Sequence, residues 1–172
     1  MIRWERVSAD LVIGTFADHQ VAALRREFGK LHELVDDRIR TAPALLPFGS
    51  QVCYALVASL TEDGTLRALL AHFVGQDEPE WMWQWHELDL WCWLRQSFSA
   101  ALDVLPDNGA RVPVTAGAQA DALATSLGAL GAVAGFQAIT EDDADRRDNL
   151  TWLQSWSARV VSGMFATITD PD

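Results

Sequence analysis

Basic side chains are scarce in this chain: 13 Lys and Arg stand against 24 Asp and Glu, a formal charge of −11 over 172 residues. Nucleic-acid affinity rests on cations that displace condensed counterions, so a surface this acidic disfavours direct nucleic-acid binding. Anionic membranes are disfavoured for the same reason, because a peripheral helix needs a basic rim around its apolar face. Cysteine is scarcer still, with only Cys53 and Cys92, each inside apolar sequence. Two such residues build no disulfide framework, and the opening MIRWERVSAD carries charge where a secretory signal has an apolar core. A cytoplasmic setting with reduced thiols is therefore expected, with Cys53 and Cys92 as the candidate redox residues if oxidation pairs them.

Also missing are a phosphate-cradling glycine loop, a nucleophile elbow and a zinc-protease pattern. His86-Glu87-x-Asp89 has carboxylates beside a histidine, but adjacent residues diverge on a helix and no second His follows four residues later. His19, His32 and His72 are isolated, and Ser50, Ser97 and Ser155 lack a nucleophile setting. The acidic run Glu141, Asp142, Asp143, Asp145 lacks the glycine and terminal Glu of a calcium loop and reads as a solvated loop leading into a helix. No catalytic, cofactor-binding or metal-binding residue is assigned, and no cofactor is expected.

Two long uncharged stretches, Thr41–Thr61 and Ala122–Thr140, invite a membrane reading. Pro43, Pro47 and Gly49 interrupt the first, and the second is Ala- and Gly-rich with weak transfer energy, so buried core helices are expected and no membrane span.

What is present is a chain with 49% apolar side chains, enough for one globular domain over residues 1–172. Residues 2–16 read as two short strands, or a strand and a loop. From Asp18, a plausible N-cap, apolar positions Val21, Leu24, Phe28, Leu31, Leu34 and Ile39 predict a helix to about Arg40. TAPALLPFGS reads as a proline-punctuated loop, followed by short helices around Val52–Leu60 and Leu66–Val74. Glu78-Pro79-Glu80 opens a long helix toward Leu105, Arg111–Val114 is a strand placed against the N-terminal segment, and Thr115 caps the next helix. That helix carries Gly128, Gly131 and Gly135 along one side, permitting close approach of a neighbour. A final helix shows Leu150, Leu153, Trp156, Val160 and Met164 on one face, with Trp152 one turn before Trp156.

The most unusual segment is EWMWQWHELDLWCWLRQ, where Trp81, Trp83, Trp85, Trp91 and Trp93 crowd thirteen residues. At helical spacing they cannot share one face: Trp81, Trp85, Leu88 and Cys92 align, leaving Trp83, Trp93, Leu90 and Leu94 elsewhere. Either several elements surround this helix or part of it is an exposed aromatic patch. Trp83, Trp91 and Trp93 are the candidates for a partly exposed interaction surface, since tryptophan is enriched among interface anchors.

Several blocks together resemble an actinobacterial family of proteins of unknown function that includes an oxidative-stress transcriptional regulator. They are Phe16 with Asp18 and the VAALRREF run, Asp77-Glu78-Pro79-Glu80, ITEDD at Ile139–Asp143, and LTWLQS at Leu150–Ser155. The resemblance implies a cytoplasmic regulator. Two departures remove polar groups: the tryptophan cluster, followed only by Arg95, replaces a polar, basic central helix, and LGALGAVAG replaces a polar segment. No family site carries over, and a regulatory cysteine pair has no N-terminal counterpart here.

The expectation is thus a mainly α, single-domain helical bundle with a small N-terminal β element. Its expected role is a non-enzymatic regulatory or protein-interaction module linked to stress or redox regulation, with a protein partner or a homodimer. The alternative is a small-molecule-binding protein or enzyme with a Trp-lined pocket, His86 or Glu87 supplying polar chemistry. Direct DNA contact would need a basic patch assembled from Arg25, Arg26, Lys30, Arg38 and Arg40.

Overall fold

The computed structural model describes residues 2–60 and 80–170, excepting the side chains of residues 38, 41–60, 80–90 and 136. Strands β1 (Arg3–Ser8), β2 (Leu11–Thr15) and β3 (Arg111–Thr115) form an antiparallel sheet in the order β1-β2-β3. Four helices complete the described residues: α1 (Asp18–Leu60), α2 (Glu80–Val104), α3 (Ala118–Thr140) and α4 (Ala144–Thr169). The fold is mainly α with a small sheet at the N-terminus, as expected, and Arg111–Thr115 pairs with the N-terminal hairpin.

Alternation along the strands decides which face is covered. Trp4 pairs with Gly14 and Gly14 with Val112, while Val12 pairs with Val114, so these residues share the face under the helices. Val12, Val112 and Val114 are buried there, whereas Arg3, Glu5, Thr15 and Arg111 lie exposed on the other side. Gly14 makes room on the covered face: a Cβ there would stand 2.7 Å from the Trp4 ring and 2.8 Å from Phe16. Those two rings meet edge to face, 5.8 Å between centroids. Trp4 also reaches α4, where a Cβ on Gly163 would come within 3.3 Å of the indole.

The first helix begins one residue away from the expected cap. Ala17 accepts the first helical bonds, and Gln20 Oε1 accepts from the Ala17 N–H at 3.1 Å, half of a capping box. The helix then continues through Thr41–Ser50, which the prolines had suggested as a loop, and absorbs the short helix expected at Val52–Leu60. Pro43 and Pro47 are one turn apart, so their missing N–H bonds fall along one side, and the Ala and Leu residues around them favour helix. The expected helix over Leu66–Val74 lies outside the described residues.

Against α1 packs α2, antiparallel to it, with Phe28 and Phe98 in contact at 6.2 Å between ring centroids. On α3, Leu123, Leu127 and Leu130 face the core, together with Ala129, Ala132 and Ala134. This helix is long and apolar enough by composition to cross a bilayer, and 59% of its apolar window is buried inside the protein. Its packing against α1, α2 and α4 accounts for that apolarity. Two glycines of α3 face α4: a Cβ on Gly131 would lie 3.2 Å from Ser157 Cβ, and one on Gly135 would lie 2.6 Å from the Gln154 amide.

Two further expectations are corrected. Thr115 does not cap α3; Gly117 occupies that position, and the Thr115 N–H donates to Gln119 Oε1 at 2.9 Å. The acidic loop is shorter than expected: Glu141, Asp142 and Asp143 precede α4, but the helix already begins at Ala144 and takes in Asp145. Asp143 Oδ1 accepts from the Arg146 N–H at 3.1 Å, Glu141 Oε1 from the Asp143 N–H at 3.1 Å, and Glu141 Oε2 pairs with Arg146 Nε at 3.1 Å. Carboxylates at a helix N-terminus satisfy its free N–H groups and complement its dipole, which is why TEDDADRR folds as a cap.

The α3–α4 contact yields a paired expectation. Gly131→Val drives methyl groups into Ser157 and lowers unfolding stability by about 1–3 kcal/mol. Ser157→Ala, which removes a buried hydroxyl with no hydrogen-bond partner, leaves stability unchanged or raises it by up to about 1 kcal/mol. Urea unfolding of both variants measures this.

Candidate interaction surface

On α2 the inward stripe is Trp91, Leu94, Phe98 and Ala101, at alternating steps of three and four residues, and it continues to Leu105 just beyond the helix. The helix is therefore rotated relative to the expected face, which had aligned Cys92 and left Leu94 aside. Trp91, expected at a partly exposed surface, is only 4% exposed and belongs to the core. Trp93 is half-buried and packed against that core, and Cys92 between them is half-buried with a free thiol. The side chains of Trp83, Cys53, His86 and Glu87 lie outside the described residues.

The exposed tryptophan among the described residues is instead Trp152, on α4. It is 54% exposed and stacks on Trp156, with 6.0 Å between centroids and 23° between planes. Trp156 is half-buried against the core, so it anchors the outer ring. The rotation of α4 explains the difference. Ser157, Val160 and Met164 are the buried positions, and Trp152 lies off the stripe they continue through Leu153 and Leu150. In the sequence, Trp152 stands out only as a neighbour of Trp156, and its offset from that apolar stripe is the signal that marks it.

One and two turns before Trp152, on the same side of α4, stand Asp148 and Asp145, both exposed, and Arg159 follows one turn beyond Trp156. Ile139, 80% exposed in the last turn of α3, lies at the same end of the α3–α4 hairpin. The result is an aromatic step with carboxylates at one end.

The basic residues of α1 are committed elsewhere. Arg25 reaches across to the end of α2: it donates to the carbonyls of Leu105 and, at 3.4 Å, Leu102, and pairs with Asp107 at 2.7 Å. It thereby satisfies carbonyls that the helix end leaves without partners. Arg26 and Lys30 both bind Glu27, at 3.0 and 3.3 Å, and Arg40 lies 3.5 Å from Asp36, which Arg95 also approaches from α2 at 3.3 Å. The Arg38 side chain lies outside the described residues. Burial raises the Glu27 carboxyl, but hydrogen bonds and charge from Arg26 and Lys30 together outweigh it and hold the group below its ordinary value. Among the described residues no group of three or more His, Cys, Asp or Glu is placed to hold a metal ion.

No protein-family model, curated protein or solved structure matches the chain.

Two outcomes follow for α1. Arg25→Met keeps the packing of the stem but strips the α2 carbonyls of their donor, lowering stability by about 1–2 kcal/mol in chemical denaturation. Because the Glu27 pKa is lowered in the folded state, its contribution is present above the unfolded carboxylate pKa and is lost as pH falls through the folded value. Glu27→Gln therefore unfolds at a lower temperature than the parent at neutral pH, and the difference closes in strongly acidic solution.

Proposed function

We propose that this chain is a non-enzymatic protein-interaction module whose docking element is the Trp152–Trp156 step of α4. The observation that carries the reading is Trp152, a large aromatic ring half in solvent and stiffened from behind by a second indole. A preorganised ring loses little conformational freedom on binding, and tryptophans so placed serve as interface anchors. The partner we infer is a protein segment with apolar side chains to cover the indole and cationic ones beside them. Asp148 and Asp145, one and two turns before Trp152, and a chain charge of −11 favour a basic partner and speed its encounter. A regulatory role in the cytoplasm, connected with oxidative stress, is supported by the resemblance to the actinobacterial family through LTWLQS, the motif that contains Trp152.

The test is a fluorescence titration with a synthetic amphipathic helical peptide carrying a Leu stripe flanked by Arg, beside the same peptide with Glu in place of Arg. The Arg peptide binds the parent chain, with affinity falling as salt is raised, and the Glu peptide does not. Trp152→Ala weakens binding by about thirtyfold or more, as loss of an anchoring tryptophan does. Asp145→Asn with Asp148→Asn reduces the salt dependence. Equal affinity of the parent and Trp152→Ala for the Arg peptide contradicts the proposal.

A further inference from the structure

The two outer edges of the sheet differ. Phe16 N–H donates to Ala110 C=O at 2.7 Å and Ala116 N–H to Asp10 C=O at 2.7 Å, so the even-numbered residues of β2 turn their polar backbone groups toward β3. Ile13 and Pro113 then form a pair without hydrogen bonds between them, and Arg111, Pro113 and Thr115 turn their polar groups to the outer edge. That edge is blunted: Pro113 has no N–H to offer, and the N–H of Thr115 is taken by Gln119 Oε1.

By the same alternation, the odd residues of β2 bond to Arg3 and Glu5 of β1, and Trp4 and Arg6 turn their N–H and C=O groups to the opposite outer edge. No proline stands in β1. The Arg6 side chain is tied inward, its guanidinium donating to the Ile168 carbonyl near the end of α4, so its outward backbone groups are not covered by it. Among the described residues, one edge of the sheet is thus blunted and no strand pairs with the other.

We propose that β1 is a dimerisation edge, and that two copies of this chain pair through it, antiparallel and centred on Trp4, to make one six-stranded sheet. The charges select both occupant and register. Centring the pairing on Arg3 would place Arg3 opposite its own copy, centring it on Glu5 would place Glu5 opposite its own copy, and centring it on Arg6 would run into the bulge between Arg6 and Ser8. Centred on Trp4, Arg3 of each copy stands opposite Glu5 of the other, giving two ion pairs on the exposed face. The outward backbone groups of Trp4 then bond to their symmetry mates, and those of Ile2 bond to those of Arg6. A self-complementary strand of this kind is what a two-fold interface requires.

Sedimentation equilibrium of the full chain over a concentration series tests this, with Arg3→Glu, Glu5→Arg and the double variant. Both residues are exposed and neither is ion-paired among the described residues, so circular dichroism of the variants matches the parent. The parent dimerises, and each single variant raises the dissociation constant about tenfold or more by setting like charges opposite one another twice. An equimolar mixture of the two single variants, and the double variant alone, regain the parental affinity because complementarity returns. Trp152→Ala leaves dimerisation unchanged, which separates this edge from the aromatic step. A parent that is monomeric at every concentration, or single variants that dimerise as well as the parent, would overturn the proposal.

Discussion

The narrowness of α3 along the side that meets α4 sets the position of much of the rest. A Cβ at Gly131 would be pressed to 3.2 Å from Ser157 Cβ, and at Gly135 the amide end of Gln154 fills the space that a side chain would claim. Helices that approach this closely interlock in one rotational setting, because sliding or turning either one puts side chain against backbone. With Ser157, Val160 and Met164 turned inward, Trp152 is turned out, and Gly163 comes to lie beneath Trp4. Trp4 is seated from the other side by the gap at Gly14, so the placement of β1 follows from the same contact. Helix α4 thus carries the exposed Trp152 ring on one side and supports Trp4 of β1 at Gly163 on another.

The two surfaces are built on different physical terms. At the aromatic step, the proposed docking would draw its affinity from desolvating an indole whose conformation is already restricted, with the nearby carboxylates setting the sign of the partner. At the strand edge, the proposed pairing would draw it from backbone hydrogen bonds, with side-chain charges choosing the register. The described cations of α1 are engaged elsewhere: Arg25 finishes the end of α2, while Arg26, Lys30 and Arg40 sit among Glu27, Asp36 and Asp37.

Much of the fold was legible in sequence. The N-terminal strands, the start of α1 to within a residue, the end of α2 near Leu105 and the close approach at Gly131 and Gly135 of α3 all follow from local pattern, because burial on one face imposes a period. Three features were not. The continuation of α1 through Pro43 and Pro47 depends on both prolines falling on one side. The start of α4 inside TEDDADRR depends on side chains of Glu141 and Asp143 folding back onto backbone N–H groups, where composition alone suggests solvent. The rotation of α2 depends on neighbours, because in a segment so rich in tryptophan every face looks apolar, whereas the expected face of α4 through Leu153, Trp156, Val160 and Met164 is the one that packs on the core. Abundance of tryptophan drew the candidate surface to Trp91, which is buried, whereas position relative to the Leu150–Leu153 stripe singles out Trp152.

The setting of α4 on α3 is most directly tested by resolving the indole N–H signals of the protein labelled with ¹⁵N-tryptophan and adding a soluble paramagnetic agent. The account predicts strong broadening of the Trp152 signal and a Trp91 signal that stays sharp, each assigned by substitution. A Trp152 indole as protected as that of Trp91 would mean that α4 is turned differently on α3, and would contradict the account.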